Sequence, residues 1–309
     1  MSEQRHPIIG LVGCGGWGCH VLRDLRTLGC EVHVVARSPA SRANAEAGGA
    51  TRIVTETADL ALADGVVVVV PVTAHATVLD DALALGCPVF VEKPLTCDPE
   101  SARRLAAAAP DRLFVMDKWR YHPGVLELAA ITRSGELGAV RGLRTSRLQW
   151  GTNHPDTDPI WVLAPHDLSI ALEILGSVLS PRAAVLEGAA TDPLGLLGLL
   201  GDDIVHVMEV SAGRTEYRRR VELSCDDGVA VLADGYDTSV LVARHGADAS
   251  RHERREVSGE LPLLRELRTF VEHLDGGPGP VSSAADGAAI VEAISELRAL
   301  AGLERGGRR

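Results

Sequence analysis

Short apolar runs without polar alternation recur through the first 120 residues, and each is followed by a stretch of helical character. Residues 8–12 (Ile-Ile-Gly-Leu-Val) have the pattern of a strand buried on both faces. A glycine-rich turn and a helix over 18–28 follow, then a strand over 31–36 and an Ala-rich helix over 40–48. Residues 66–70 and 88–92 predict two more strands around a helix over 74–85, which Gly86 ends. A helix over 98–109 has Asp98 as its N-cap and Pro99 in its first turn, and residues 113–116 form a further strand. This alternation predicts an α/β fold with a doubly wound parallel sheet over residues 1–120.

The pattern changes after residue 120. A helix over 122–133, ended by Ser134-Gly135, precedes an extended stretch at 140–150 and a helix over 167–175. Strand-like stretches follow at 182–189, 204–212, 217–225 and 229–232, with Asp226-Asp227-Gly228 as a hairpin turn. A helix over 263–274 carries apolar residues at 263, 264, 267, 270, 271 and 274, and a last helix spans 284–300. Residues 121–309 therefore read as an α+β domain with an open, mostly antiparallel sheet. No internal repeat or low-complexity segment interrupts it.

Composition narrows the function classes. Aromatic residues make up only 3%, so small aliphatics fill the cores. The net charge of −11 argues against a nucleic-acid partner. The basic runs Arg218–Arg220 and Arg251–Arg255 are mixed with acids and read as solvated faces. Six scattered cysteines form no Cys-x-x-Cys pair, no metal site is expected, and most read as small buried hydrophobes in a reducing compartment. The polar segment Met1–Pro7 lacks a signal-like apolar stretch, and no run is long enough to cross a bilayer. A cytoplasmic protein without a membrane partner is the expectation.

Gly13-Cys14-Gly15-Gly16-Trp17-Gly18 is a Gly-x-Gly-x-x-Gly motif between a buried strand and a helix, the context a dinucleotide fingerprint requires. Gly13 permits the tight turn, Gly15 lets the backbone approach a pyrophosphate, and Gly18 lets the helix pack on the strand. Gly16 and Trp17 open the helix whose N-terminus would face the phosphates. The second strand ends in Ala36-Arg37-Ser38, where an NAD-preferring site carries an acid. Arg37 can pair with a 2′-phosphate and Ser38 can donate to it, with Arg42 nearby, so NADP is favoured over NAD.

Further landmarks follow in order: Pro71-Val72-Thr73-Ala74-His75, Glu92-Lys93-Pro94, Arg120-Tyr121-His122-Pro123, Gly135-Glu136-Leu137-Gly138 and Pro165-His166-Asp167-Leu168. Over nearly the whole chain they resemble the Gfo/Idh/MocA oxidoreductase family, the glucose–fructose oxidoreductase and inositol dehydrogenase group. The resemblance implies two domains, with the open sheet of the second serving a homodimer or homotetramer. It implies a small sugar-like, nucleotide-sugar or cyclitol substrate held against the nicotinamide, and it sets Pro71, Thr73, His75, Glu92 and Lys93 along the cofactor. The 165–170 run is similar to members acting on nucleotide-linked sugars.

Hydride exchange at an alcohol carbon needs a group for the oxygen and a group for its proton. Lys93, at the C-terminal end of a strand, suits the first, and His166, with an ordinary pKa near 6.5, suits the second. Many relatives carry Asp four residues before this histidine, whereas this chain has Val162; Asp167 or Asp158 are the replacements to test. Arg120, Tyr121 and Asp167 join Lys93 and His166 as substrate-binding candidates, although Arg120 and Tyr121 equally suit a purely structural role. His75 reads either as facing the cofactor or as a surface residue at a helix start. Trp150, Asn153, His154 and Trp161 read as one polar loop. Reduction of an imine or tetrapyrrole, glycoside cleavage through transient oxidation, and a non-catalytic NADP-binding regulator remain alternatives.

Overall fold

The computed structural model describes residues 6–152, 154, 156–246 and 252–306; Met1–Arg5, Asn153 and Arg251 lie outside them. The chain divides into two compact units, residues 1–118 with 261–288, and residues 119–260 with 289–309. The single boundary expected at residue 120 is thus corrected. The chain returns to the first unit after the second sheet, because the apolar stripe of the helix at Pro262–Leu274 is buried there through Leu263, Leu267 and Phe270.

The first unit holds β1 (Ile8–Val12), β2 (Glu31–Val35), β3 (Arg52–Val54), β4 (Gly65–Val68), β5 (Val89–Glu92) and β6 (Leu113–Met116), in the order β3-β2-β1-β4-β5-β6. All its strand pairs are parallel. The order reverses between β1 and β4, the switch point where open α/β sheets bind ligands. Helices α1 (Gly16–Thr27), α2 (Pro39–Ala47), α3 (His75–Leu83) and α4 (Pro99–Ala108) form the crossovers, and Asp98 caps α4 as expected. Only a short 3-10 turn, Thr57–Leu60, joins β3 to β4. One core cluster joins Ile9, Leu11, Val32, Val34 and Val67 from the sheet to Val21, Leu22 and Leu25 of α1. Phe90 on β5 stacks on Phe270 at 5.0 Å between centroids; replacing such a ring by Ala costs about 3–5 kcal/mol.

The second unit holds α5 (Pro123–Ser134), β7 (Val140–Trp150), α6 (Pro159–Leu175), β8 (Pro181–Ala189), β9 (Asp192–Leu200), β10 (Val205–Ser211), β11 (Gly213–Cys225), β12 (Gly228–Leu232), β13 (Ser239–Arg244) and β14 (Glu253–Glu256). The sheet runs β14-β13-β12-β11-β7-β10-β9-β8 and is antiparallel except where β10 pairs with β7. Val125, Leu128 and Ile131 of α5 and Ile170 and Ile174 of α6 form its core with Leu143, Leu223, Leu232 and Val240. Helix α7 (Pro262–Leu274) belongs to the first unit, and α8 (Ala284–Leu300) follows it.

Two expectations change here. The helix expected from Asp167 starts at Pro159, with Pro165 inside it; Asp158 caps it by accepting from Ile160 N at 3.0 Å, and Pro159 takes the first position, where its missing N–H costs nothing. Trp161 is therefore a fully buried helix residue, not part of a loop. Strands β9, β13 and β14 were not expected; the glycines at 195 and 198 break the apolar alternation of β9. No helix among the described residues is long and apolar enough to cross a membrane.

Candidate active site

The glycine turn is built by close backbone contacts. Gly13 has φ +97°, and a Cβ there would lie 2.4 Å from the carbonyl oxygen of Val69; a Cβ on Gly18 would lie 2.5 Å from that of Gly13. Gly15 and Gly16 differ, because a Cβ on either meets no atom within 4 Å. They open the N-terminus of α1, where no side chain caps the helix and no acid occupies the first turn. This exposed end, with free N–H groups and the positive end of the helix dipole, fits a dinucleotide pyrophosphate. The turn is braced from α2: Cys14 N donates to Ser41 Oγ at 3.2 Å, and Asn44 Nδ2 donates to the Cys14 carbonyl at 2.9 Å. Lys118 Nζ lies 4.4 Å from the centre of the Trp17 ring, which brings a cation to this helix end. Ser41, Asn44 and Lys118 were missed because the pattern that predicts the helix over 40–48 does not show which of its residues meet the glycine turn, and nothing local marks Lys118.

Arg37 and Ser38 stand exposed after β2. Arg37 Nε donates to the Thr55 carbonyl at 3.2 Å, and its guanidinium lies 3.9 Å from Glu56. Ser38 caps α2 by accepting from Ser41 N at 3.1 Å. Pro71 and Thr73 are exposed on the turn after β4. His75 is not on the surface: it is 1% exposed, with Nδ1 2.9 Å from the Pro94 carbonyl and Nε2 3.1 Å from that of Val70. The ring therefore ties the turn after β4 to the turn after β5. Burial lowers its pKa, and neighbouring Lys93 adds to that.

Glu92 and Lys93 end β5, and the Lys93–Pro94 peptide is cis. Lys93 N donates to Glu92 Oε2 at 2.9 Å. Burial raises the Glu92 pKa, against the pull of Lys93 and Lys118. A second carboxyl lies below. Residues 90 and 92 share one face of β5, while 270 and 266 are one turn apart on α7. Because Phe270 stacks on Phe90, α7 sets Glu266 over the Glu92 end of the strand. Glu266 is 1% exposed, and its Oε2 has no hydrogen-bond partner among the described residues. Burial first, then Glu92, pushes its pKa well above the usual carboxylate range. In the sequence the signal was an acid inside an apolar stripe.

In the second unit, His166 is half-buried on α6, and Ser169 Oγ donates to its carbonyl at 2.9 Å. Asp167 points inward and pairs with Arg147 of β7; both are buried. The Arg147 guanidinium lies 4.5 Å from the Trp119 ring, which stacks on His122 at 5.0 Å. Arg120 Nε pairs with Glu173 of α6 at 3.1 Å, and Tyr121 is buried. Val162 is buried, and Asp158 pairs with Arg298 at 2.5 Å besides capping α6. Both acids considered as replacements at position 162 are thus held by arginines. Trp150 and His154 are exposed. Among the described residues, no three His, Cys, Asp or Glu side chains are grouped to hold a metal ion.

Residues 8–115 match the model of an oxidoreductase family with an NAD-binding Rossmann fold. An inositol 2-dehydrogenase from Corynebacterium glutamicum is 34% identical over 148 residues, which is 44% of this chain and 44% of that protein, so the match spans less than half its length. An inositol 2-dehydrogenase from Streptomyces avermitilis is 27% identical over 94% of this chain and 91% of its own. The solved structure of UDP-N-acetylglucosamine 3-dehydrogenase from Acidithiobacillus ferrooxidans shares the fold, with a TM-score of 0.83 and 23% identity over 96% of this chain and 98% of that one. The matched segment, residues 8–115, carries both the fingerprint turn and the Glu-Lys-Pro turn, so the first unit is similar to the NAD-binding part of that oxidoreductase family.

Proposed function

We propose that this protein is a nicotinamide-dependent dehydrogenase or reductase that prefers NADP(H) and acts on a CH–OH carbon of a sugar-like or cyclitol-like substrate. The observation that carries this reading is the open Gly15–Gly16 turn at the uncapped start of α1, in the same unit as a lysine at the C-terminal end of β5. When bound, the dinucleotide supplies the two-electron acceptor or donor. Backbone N–H groups of α1 hold its pyrophosphate, and Arg37 meets the 2′-phosphate.

Lys93 hydrogen-bonds the reacting oxygen and stabilises its developing negative charge. His166 takes the hydroxyl proton in oxidation and returns it in reduction. His75 and Glu92 act through Lys93: one fixes the carbonyls of Pro94 and Leu95, and the other fixes the Lys93 backbone N–H. Asp167 holds Arg147, so it is a positioning residue.

The assembly belongs to the same proposal. The sheet face opposite α6 exposes Val185, Leu197 and Leu199, with Val185 paired to Leu197 across β8 and β9. A second copy covering that face gives the homodimer or homotetramer, and light scattering should report a mass at least twice that of the chain.

The activity is tested by screening sugars, cyclitols and nucleotide sugars for absorbance change at the nicotinamide band. Turnover with one of them, faster with NADP(H) than with NAD(H), is the expected result. Tight cofactor binding without turnover on any carbonyl or alcohol would replace the reading by a regulatory one.

A further inference from the structure

The second unit buries a second arginine beside the Arg147–Asp167 pair. Arg219 of β11 is 7% exposed. It donates through Nη1 to the carbonyls of Leu148 and Arg218, each at 2.8 Å, and through Nη2 to Gln149 Oε1. All three acceptors are neutral. A guanidinium has five N–H donors, so Nε–H and one Nη2–H have no acceptor among the described residues. Asp167 is a single carboxylate facing two guanidiniums, and among the described residues it bonds only Arg147. Buried cations ordinarily come with an anion, because desolvation without a counter-charge is costly.

The setting of Arg219 is equally specific. Its guanidinium stacks 4.2 Å from the centre of the Tyr217 ring, and Tyr217 lies within 6.4 Å of Tyr236 in a nearly parallel stack. The register shift between Gly213 and Arg218 takes Tyr217 out of the β7–β11 ladder. Both tyrosines are exposed, Tyr236 to 81%. The nearby loop carboxylates are occupied locally, since Asp234 accepts from Tyr236 N and Asp237 from Asp234 N, each at 3.0 Å. A buried, underused guanidinium edge beside open flat rings suits a ligand with an anionic group next to a ring.

We propose that Arg219, Tyr217 and Tyr236 form a subsite for a nucleoside diphosphate, so that the substrate is a nucleotide-linked sugar rather than a free cyclitol. The inference rests on the carbohydrate oxidoreductase reading above and sharpens its substrate class. The diphosphate takes the two unused N–H groups of Arg219, and the base lies on the tyrosine stack. A free cyclitol would leave Arg219 to share the one Asp167 carboxylate with Arg147. Arg120, the sequence-based choice for an anionic group, is already paired with Glu173.

The test is isothermal titration of protein saturated with NADPH, so that the dinucleotide phosphate site is filled. The probes are uridine diphosphate, inorganic pyrophosphate, glucose 1-phosphate and myo-inositol. Uridine diphosphate should bind tightest and myo-inositol weakest. Arg219→Gln should weaken uridine diphosphate by about tenfold or more, and Arg219→Lys should recover part of that loss. Tyr236→Ala, a surface change that spares the fold, should weaken uridine diphosphate and leave pyrophosphate unchanged. Equal affinity of Arg219→Gln and the parent for uridine diphosphate would overturn the subsite. Glucose 1-phosphate binding more tightly than uridine diphosphate would overturn the nucleotide assignment. Because no turnover is read, the subsite can fail while the oxidoreductase reading stands, and the reverse.

Discussion

The two units treat charge in opposite ways. The first meets an anion with backbone: the free N–H groups of α1 behind two glycines that leave the space open. The ionisable groups it buries are largely acids, Asp24, Asp117 and Glu266, and burial followed by the neighbouring Glu92 raises the Glu266 pKa. The second unit buries guanidiniums, Arg147, Arg219 and Arg298, held by Asp167, by neutral oxygens and by Asp158. A backbone site needs no side-chain cation and tolerates acids below it. A side-chain site must hold its cations in place before a ligand arrives, and its positioning acids are correspondingly hard to replace.

The largest test of this contrast is Asp167→Asn. It leaves Arg147 buried beside a neutral partner, and breaking a buried pair from one side costs about 3–5 kcal/mol. Chemical denaturation should show that loss; a change under about 1 kcal/mol would mean the second unit does not depend on its buried pairs. Next, Lys93→Met should lower turnover at least about a hundredfold with little change in the unfolding midpoint. A rate near that of the parent would remove Lys93 from the chemistry.

Glu266→Gln sharpens the comparison through pH. Its folded pKa is raised above the ordinary value of 4.5, so its favourable contribution is complete below that pH and is lost as pH rises through the folded pKa. Glutamine does not ionise. The variant and the parent should therefore unfold alike below pH 4.5, and the variant should become the more stable of the two as pH rises above it. A variant less stable than the parent at pH 8 would show that the carboxylate is ionised and paired. The smallest effect belongs to Arg37→Ala, which should cost NADPH about tenfold in affinity and leave NADH nearly unchanged.

The same contrast explains what the sequence revealed. A backbone site depends on glycines at fixed spacing between a buried strand and a helix, so residues 8–18 could be read directly, as could Glu92 at the end of β5 and Arg37 just after β2. Side-chain sites join residues far apart in the chain. Arg219 meets the carbonyl of Leu148 only because β11 pairs with β7, and Arg147 meets Asp167 only because α6 lies on that sheet. Glu266 needed the register of α7 on β5. Local rules also misled where context overrode them. A helix was expected only from Asp167, yet the cap at Asp158 and burial of residues 159–165 carry α6 through Pro165.

The central claim is that a nicotinamide dinucleotide lies against the Gly15–Gly16 opening. Fluorescence titration with NADPH on the parent and on Gly15→Val tests it, because a side chain at residue 15 meets no protein atom within 4 Å at its Cβ and should leave the fold intact while filling the ligand's space. Micromolar binding by the parent and at least about hundredfold weaker binding by the variant is the predicted result. No binding by the parent, or equal binding by a folded Gly15→Val protein, would contradict it.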